Sequence, residues 1–89
     1  MNLLLTASVR DADDFKKNGY DSVKHEFSEW CDSSACIFAK IDQYHVVELF
    51  FNVNPAKLRE WLSRPSTKDM FAAHEFEPTR YTFSPMEIG

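Results

Sequence analysis

Larger apolar residues alternate with smaller or polar ones from Asn2 to Val9, with Leu3, Leu5, Ala7 and Val9 on one side and Leu4, Thr6 and Ser8 on the other. Period-two alternation of this kind predicts a strand. Asp11 is placed to cap a following helix, and Asp13 and Asp14 put negative charge in its first turn, where it complements the helix dipole. Phe15, Gly19, Val23 and Phe27 recur every fourth residue and Trp30 closes the stripe, so one apolar face of this helix can lie on a sheet. Asn18-Gly19 interrupts it and reads as a kink, a break between two short helices, or a close approach of the backbone to the sheet.

The densest run of strand-forming residues is 34–53, SACIFAKIDQYHVVELFFNV, which reads as a hairpin with Asp42-Gln43 at its turn. Asp-Gln is not a favoured type I′ pair, which leaves open a loop one or two residues longer. With the two-residue loop, Phe38, Val47, Leu49 and Phe51 fall on one face, and Ile37, Ile41, Val46, Glu48 and Phe50 on the other. Both faces are then largely apolar. A chain of 89 residues has too few helices to cover both, so a second copy is expected to supply the other layer.

Asn54-Pro55 signals the next helix, with Leu58, Trp61 and Leu62 on its buried face and Arg64-Pro65 at its end. Ser66 with Asp69 resembles a capping arrangement for a further short helix through Met70, Phe71 and Ala73, which Pro78 stops. Thr79 to Ser84 alternates again, with Tyr81 and Phe83 opposite Arg80 and Thr82. The order of strand, helix, strand, strand, helices and strand predicts an α+β chain: a ferredoxin-like βαββαβ unit, residues 1–89 as one domain, with a four-stranded antiparallel sheet.

Composition and charge narrow the partners. Two glycines and four prolines leave no room for linkers or phosphate-cradling loops, and no hydrolase, nucleotide-triphosphate or dinucleotide motif occurs. A net charge of −4, without clustered basic residues, gives no footprint for nucleic acid or for an anionic membrane. The apolar stretch after Met1 is too short for a signal peptide, and the expected compartment is the cytoplasm. Cys31 and Cys36 match neither a redox C-x-x-C pair nor a zinc pattern and read as free thiols.

VRDADDF after the first strand, VELFFNVNPAKLREWLSRPSTKDMFAAH, and PTRYTFSP at the end resemble in layout the dimeric α+β barrel superfamily, which includes antibiotic-biosynthesis-monooxygenase-like proteins. The resemblance implies a ferredoxin-like protomer whose open sheet face packs on a second protomer, and a ligand cavity between the sheet and its own helices. Trp61-Leu62 and Phe71-Ala72-Ala73-His74 are similar to elements of the heme-degrading members, but the interval between Trp61 and His74 is longer, and Thr6, Ala7 and Ser8 stand where those members carry an asparagine. No catalytic triad is carried over, and no heme, other cofactor or metal is expected.

Candidate site residues follow from chemistry. Glu48 interrupts a strand of Val, Leu and Phe. It reads either as a carboxylate hydrogen-bonded across the dimer or reaching the barrel rim, or as a desolvated carboxyl of raised pKa serving as base or ligand anchor. Trp30, Trp61, Phe71, Tyr81 and Phe83 could be plain core or could line an apolar pocket with polar points at His25 and Arg80. His74 joins them through the heme comparison; with His25 and His45 it lies on separate elements, without metal-ligand spacing. Two functions remain: a non-catalytic homodimeric module that binds a small apolar or aromatic ligand or acts in assembly, and a cofactor-independent monooxygenase acting on such a molecule.

Overall fold

In the computed structural model, which describes residues 1–86, four strands form one sheet. They are β1 (Asn2–Ser8), β2 (Ile37–Asp42), β3 (His45–Phe50) and β4 (Glu77–Phe83), in the order β2-β3-β1-β4. Every neighbouring pair is antiparallel, and the two crossovers are helical, which is the ferredoxin-like βαββαβ arrangement expected from the element order. Leu3, Leu5, Ala7 and Val9 are all buried beneath the helices, together with Val46 and Phe50 from β3.

The first crossover is helical but irregular: α1 (Ala12–Asp14), a π-helical turn over Phe15–Tyr20, α2 (Asp21–Val23) and a 3-10 segment over Lys24–Glu29. Asp11 caps it as expected, its Oδ2 accepting the Asp14 N–H at 3.1 Å. Gly19 marks a close approach, and its neighbour is the Phe15 ring rather than the sheet backbone. A Cβ at position 19 would sit 2.8 Å from Phe15 Cδ1 and 3.3 Å from His74 Cδ2, so the wide π turn and the absent side chain together let that ring lie over the helix.

The second crossover holds α3 (Pro55–Leu62) and α4 (Pro65–Ala73). Asn54 caps α3 by accepting the Lys57 N–H at 3.2 Å, and Leu58 and Trp61 are buried. Two boundaries differ from the sequence expectation. Proline at its first position starts α4, so Ser66 lies inside the first turn and does not cap it. Pro78 lies within β4, an edge strand where a missing N–H is tolerated; α4 has already ended in a Schellman turn. There Phe76 N–H reaches Phe71 O, Glu75 N–H reaches Ala72 O, and the rings of Phe71 and Phe76 stack at 4.5 Å.

The hairpin is the main correction. Its turn is Gln43-Tyr44, and a bulge between Lys40 and Asp42 absorbs one residue, so Phe38 pairs with Glu48 and Ile37 with Leu49. That one-residue slip flips β2 relative to β3. Glu48, expected opposite Ile37 on the face awaiting a second protomer, instead lies opposite Phe38 beneath the chain's own helices. The row Ile37, Leu49, Leu4, Tyr81 crosses the other face, which no element of the described chain covers. Ile37 is 48% and Tyr81 54% exposed there, and the Phe51 and Phe83 rings meet edge to face at 5.8 Å.

Candidate functional site

Strand register fixes the floor of the site. Leu5 of β1 pairs with Glu48 on one side and Arg80 on the other, so Phe38, Glu48, Leu5 and Arg80 form one row across the helix-covered face. Neighbouring strands lie about 4.8 Å apart, which puts roughly 10 Å between the Glu48 and Arg80 backbones on the same face. The roof comes from the first crossover, which supplies Phe27 and Trp30, and from α3 and α4, which supply Leu58, Trp61, Leu62 and Phe71. These side chains line a partly open cavity of about 30 Å³ together with Leu3, Leu5, Phe50, Glu48 and the exposed Arg80.

Glu48 is only 4% exposed, and burial is the sole cause that moves its carboxyl, pushing its pKa from 4.5 up to about 8. No hydrogen bond or ion pair among the described residues holds the charged form down. At neutral pH the group is therefore mostly the acid, carrying one O–H donor and a free carbonyl oxygen. A polar atom on the cavity wall is unsatisfied: the buried Trp30 Nε1 has no acceptor among the described residues. A buried polar group without a partner costs on the order of 1–3 kcal/mol; the other such atom among the described residues, His74 Nδ1, lies away from the cavity.

The roof is latched by charge. Glu26 Oε1 accepts Trp61 Nε1 at 3.0 Å and Arg64 Nη1 at 3.4 Å, while Arg64 also forks onto both Glu29 oxygens at 3.1 and 2.7 Å. This network ties the 3-10 segment to the α3–α4 junction and reaches the cavity wall through Trp61. A volume of 30 Å³ admits about one water, whereas ligand pockets usually run to about 300 Å³ or more, so a ring-sized guest requires this roof to move.

Of the residues singled out from the sequence, Glu48, Trp61 and Arg80 meet at this cavity, and Trp30 and Phe71 line it with them. The others lie elsewhere. His25 is an exposed side chain 3.8 Å from Glu26, and Tyr81 and Phe83 sit on the uncovered face of the sheet. His74 is buried at the far end of the core, edge-on to Phe15, its Nδ1 3.4 Å from Asp14 Oδ2 without hydrogen-bond geometry. Glu26 carried no signal in the sequence, since an acidic residue on a helix is ordinarily solvated. Two wider hollows, near Phe71 and Glu77 and on the uncovered face near His45, are open to solvent and contain no buried polar residue.

No family model and no curated protein matches this sequence. Among solved structures, the chain is similar to the crystal structure of SnoaB, a cofactor-independent oxygenase from Streptomyces nogalater. The TM-score is 0.65 over 99% of this chain and 96% of that one, at 10% sequence identity. At that identity the likeness is one of fold, and it agrees with the ferredoxin-like arrangement of the strands and helices.

Proposed function

We propose that this chain is a small-molecule binding protein whose sheet–helix cavity takes a ring-bearing apolar or aromatic ligand, with Glu48 as its polar anchor. The observation that carries the reading is Glu48, a residue only 4% exposed whose carboxyl makes no hydrogen bond or ion pair among the described residues, set among Phe27, Trp30, Phe50 and Trp61. Aromatic walls favour a flat apolar guest, and a protonated carboxyl can donate to its hydroxyl or carbonyl oxygen. The test is thermal denaturation and tryptophan fluorescence with 1-naphthol and with naphthalene as probes. Naphthol is expected to raise the Tm and quench emission more than naphthalene, and Glu48→Leu to erase that preference; no response to either probe at saturation overturns the reading.

A second reading is favoured by one property of the same group. A carboxyl titrating near 8 is poised as a base close to neutrality, which suits proton removal from an activated aromatic substrate whose carbanion then reacts with dioxygen. The fold likeness to a protein described as a cofactor-independent oxygenase is in keeping with that chemistry. Oxygen uptake by metal-free protein with a ring-activated phenol, abolished in Glu48→Gln, separates catalysis from binding.

In either reading two copies pack sheet to sheet. The uncovered row of Ile37, Leu49, Leu4 and Tyr81 is the apolar surface such a contact removes from water. Light scattering after size exclusion is expected to give twice the 10.4 kDa chain mass, and Leu49→Asp to give the monomer. A stable wild-type monomer at micromolar concentration defeats the assembly proposal and leaves the cavity reading standing.

A further inference from the structure

The chain's two cysteines lie together outside the cavity, in the turn that joins the first crossover to β2. Their Sγ atoms are 3.7 Å apart, both side chains are half-buried, and no third metal-ligating side chain clusters with them among the described residues. We propose that Cys31 and Cys36 are a reversible oxidation site that closes to an intramolecular disulfide.

Three features of the turn carry this. First, the chain on both sides is already pinned. Asp32 N–H bonds to Phe51 O, Asn54 N–H bonds to Trp30 O, and Asp32 Oδ1 accepts the Ser34 N–H and hydroxyl, so the sulfur atoms are held near each other without the bond. Closing from 3.7 Å to a bonded separation of about 2.0 Å then calls for side-chain rotation within a fixed frame. Second, oxidation orphans no acceptor. The Cys31 thiol donates to Phe27 O and the Cys36 thiol to Asp32 O, and both would lose their protons. Phe27 O keeps the N–H groups of Trp30 and Cys31, and Asp32 O keeps that of Ala35. Third, the competing fate is disfavoured, because a glutathionyl group left on one sulfur has the other thiol beside it as a resolving nucleophile.

The reaction needs a small-molecule disulfide as oxidant, and oxidised glutathione serves. The Cys36 thiolate attacks one glutathione sulfur, the S–S bond breaks, and one glutathione thiolate leaves. The Cys31 thiolate then attacks Cys36 Sγ in the mixed disulfide and expels the second. The protein gives up two electrons and two protons, which the oxidant takes up as two thiols.

Burial sets the pace. It pushes the Cys31 thiol up to about 12 and raises Cys36 as well, so thiolate is scarce at neutrality and closure is slow, quickening about tenfold per pH unit. This pair answers a sustained oxidising environment rather than a brief pulse of oxidant.

The folded chain is incubated with oxidised glutathione at pH 8.5, quenched with acid and digested with trypsin. Residues 25–40 lie between Lys24 and Lys40 with no other cleavage site, so one peptide carries both cysteines. The expected product is that peptide lighter by two hydrogens, with free thiols falling from two per chain to none and returning with dithiothreitol. In Cys31→Ser the same peptide is expected to keep a glutathionyl group on Cys36, which shows that Cys36 is reached and that Cys31 resolves it. Wild-type peptide that retains glutathione, cross-links to a second chain, or keeps both thiols while Cys31→Ser is modified overturns the proposal. None of these outcomes depends on what the cavity binds.

Discussion

Trp61→Ala is expected to lower the free energy of unfolding by about 3–5 kcal/mol, the range for large aromatic truncations in a packed core. Trp61 is 4% exposed and sits at the centre of the aromatic roof. Its ring meets Phe27 at 5.8 Å, Trp30 at 5.4 Å and Phe71 at 6.0 Å, so it joins the first crossover to α4 as well as to the sheet. Alanine removes those contacts and leaves a void that the cavity beneath cannot absorb by collapse, because strands pin its floor. The hydrogen bond to Glu26 is the smaller part of the loss, since Arg64 still holds that carboxylate. Urea denaturation followed by far-ultraviolet dichroism measures the effect, and Trp61→Phe should recover more than half of it. A loss below about 1 kcal/mol would mean that the roof is already loose around Trp61.

Local signals in the sequence were sound where the chemistry is local. Alternation in β1, the caps at Asp11 and Asn54, and Pro55 at the start of α3 depend on residues within a few positions of one another, and the structure has them as read. What was not legible depends on distant pairing or on one residue of slack. The bulge at Lys40–Asp42 cannot be seen in a run of strand formers, yet it decides that Phe38 rather than Ile37 lies beside Glu48; the face Glu48 takes follows from its pairing with Leu5 of β1. The oddity of Glu48 in an apolar strand was visible; its burial under the chain's own helices was not. Arg80 joins the site only because Leu5 lies between it and Glu48 in the β1–β4 and β1–β3 registers. The aromatic residues separated in the same way: Trp30, Trp61 and Phe71 went to the roof, while alternation along β4 turned Tyr81 and Phe83 to the uncovered face.

Folding stability should fall as pH rises from about 4.5 to about 8, and Glu48→Gln should remove that slope. In the unfolded chain Glu48 ionises near its ordinary value of 4.5, whereas in the folded chain burial delays ionisation to about 8. Below 4.5 both states hold the proton and the group contributes no pH dependence. Between the two values only the folded state holds it, so each added pH unit favours unfolding; above 8 the full cost of a buried carboxylate is present. At about 1.4 kcal/mol per unit, the window amounts to a loss on the order of 5 kcal/mol, a large share of the stability of a small domain. Glutamine keeps the shape and polarity of the carboxylic acid without the proton equilibrium. The variant is therefore expected to match wild type within about 1 kcal/mol at pH 5 and to exceed it by several kcal/mol at pH 9. Urea denaturation of both proteins at pH 5, 7 and 9 gives the difference, and all other titrating groups cancel because the two chains share them. Parallel stability profiles would show that water reaches Glu48 freely. A variant several kcal/mol weaker than wild type at pH 7 would show that the carboxylate is ionised and paired, and the neutral-anchor reading of the cavity would fall with it.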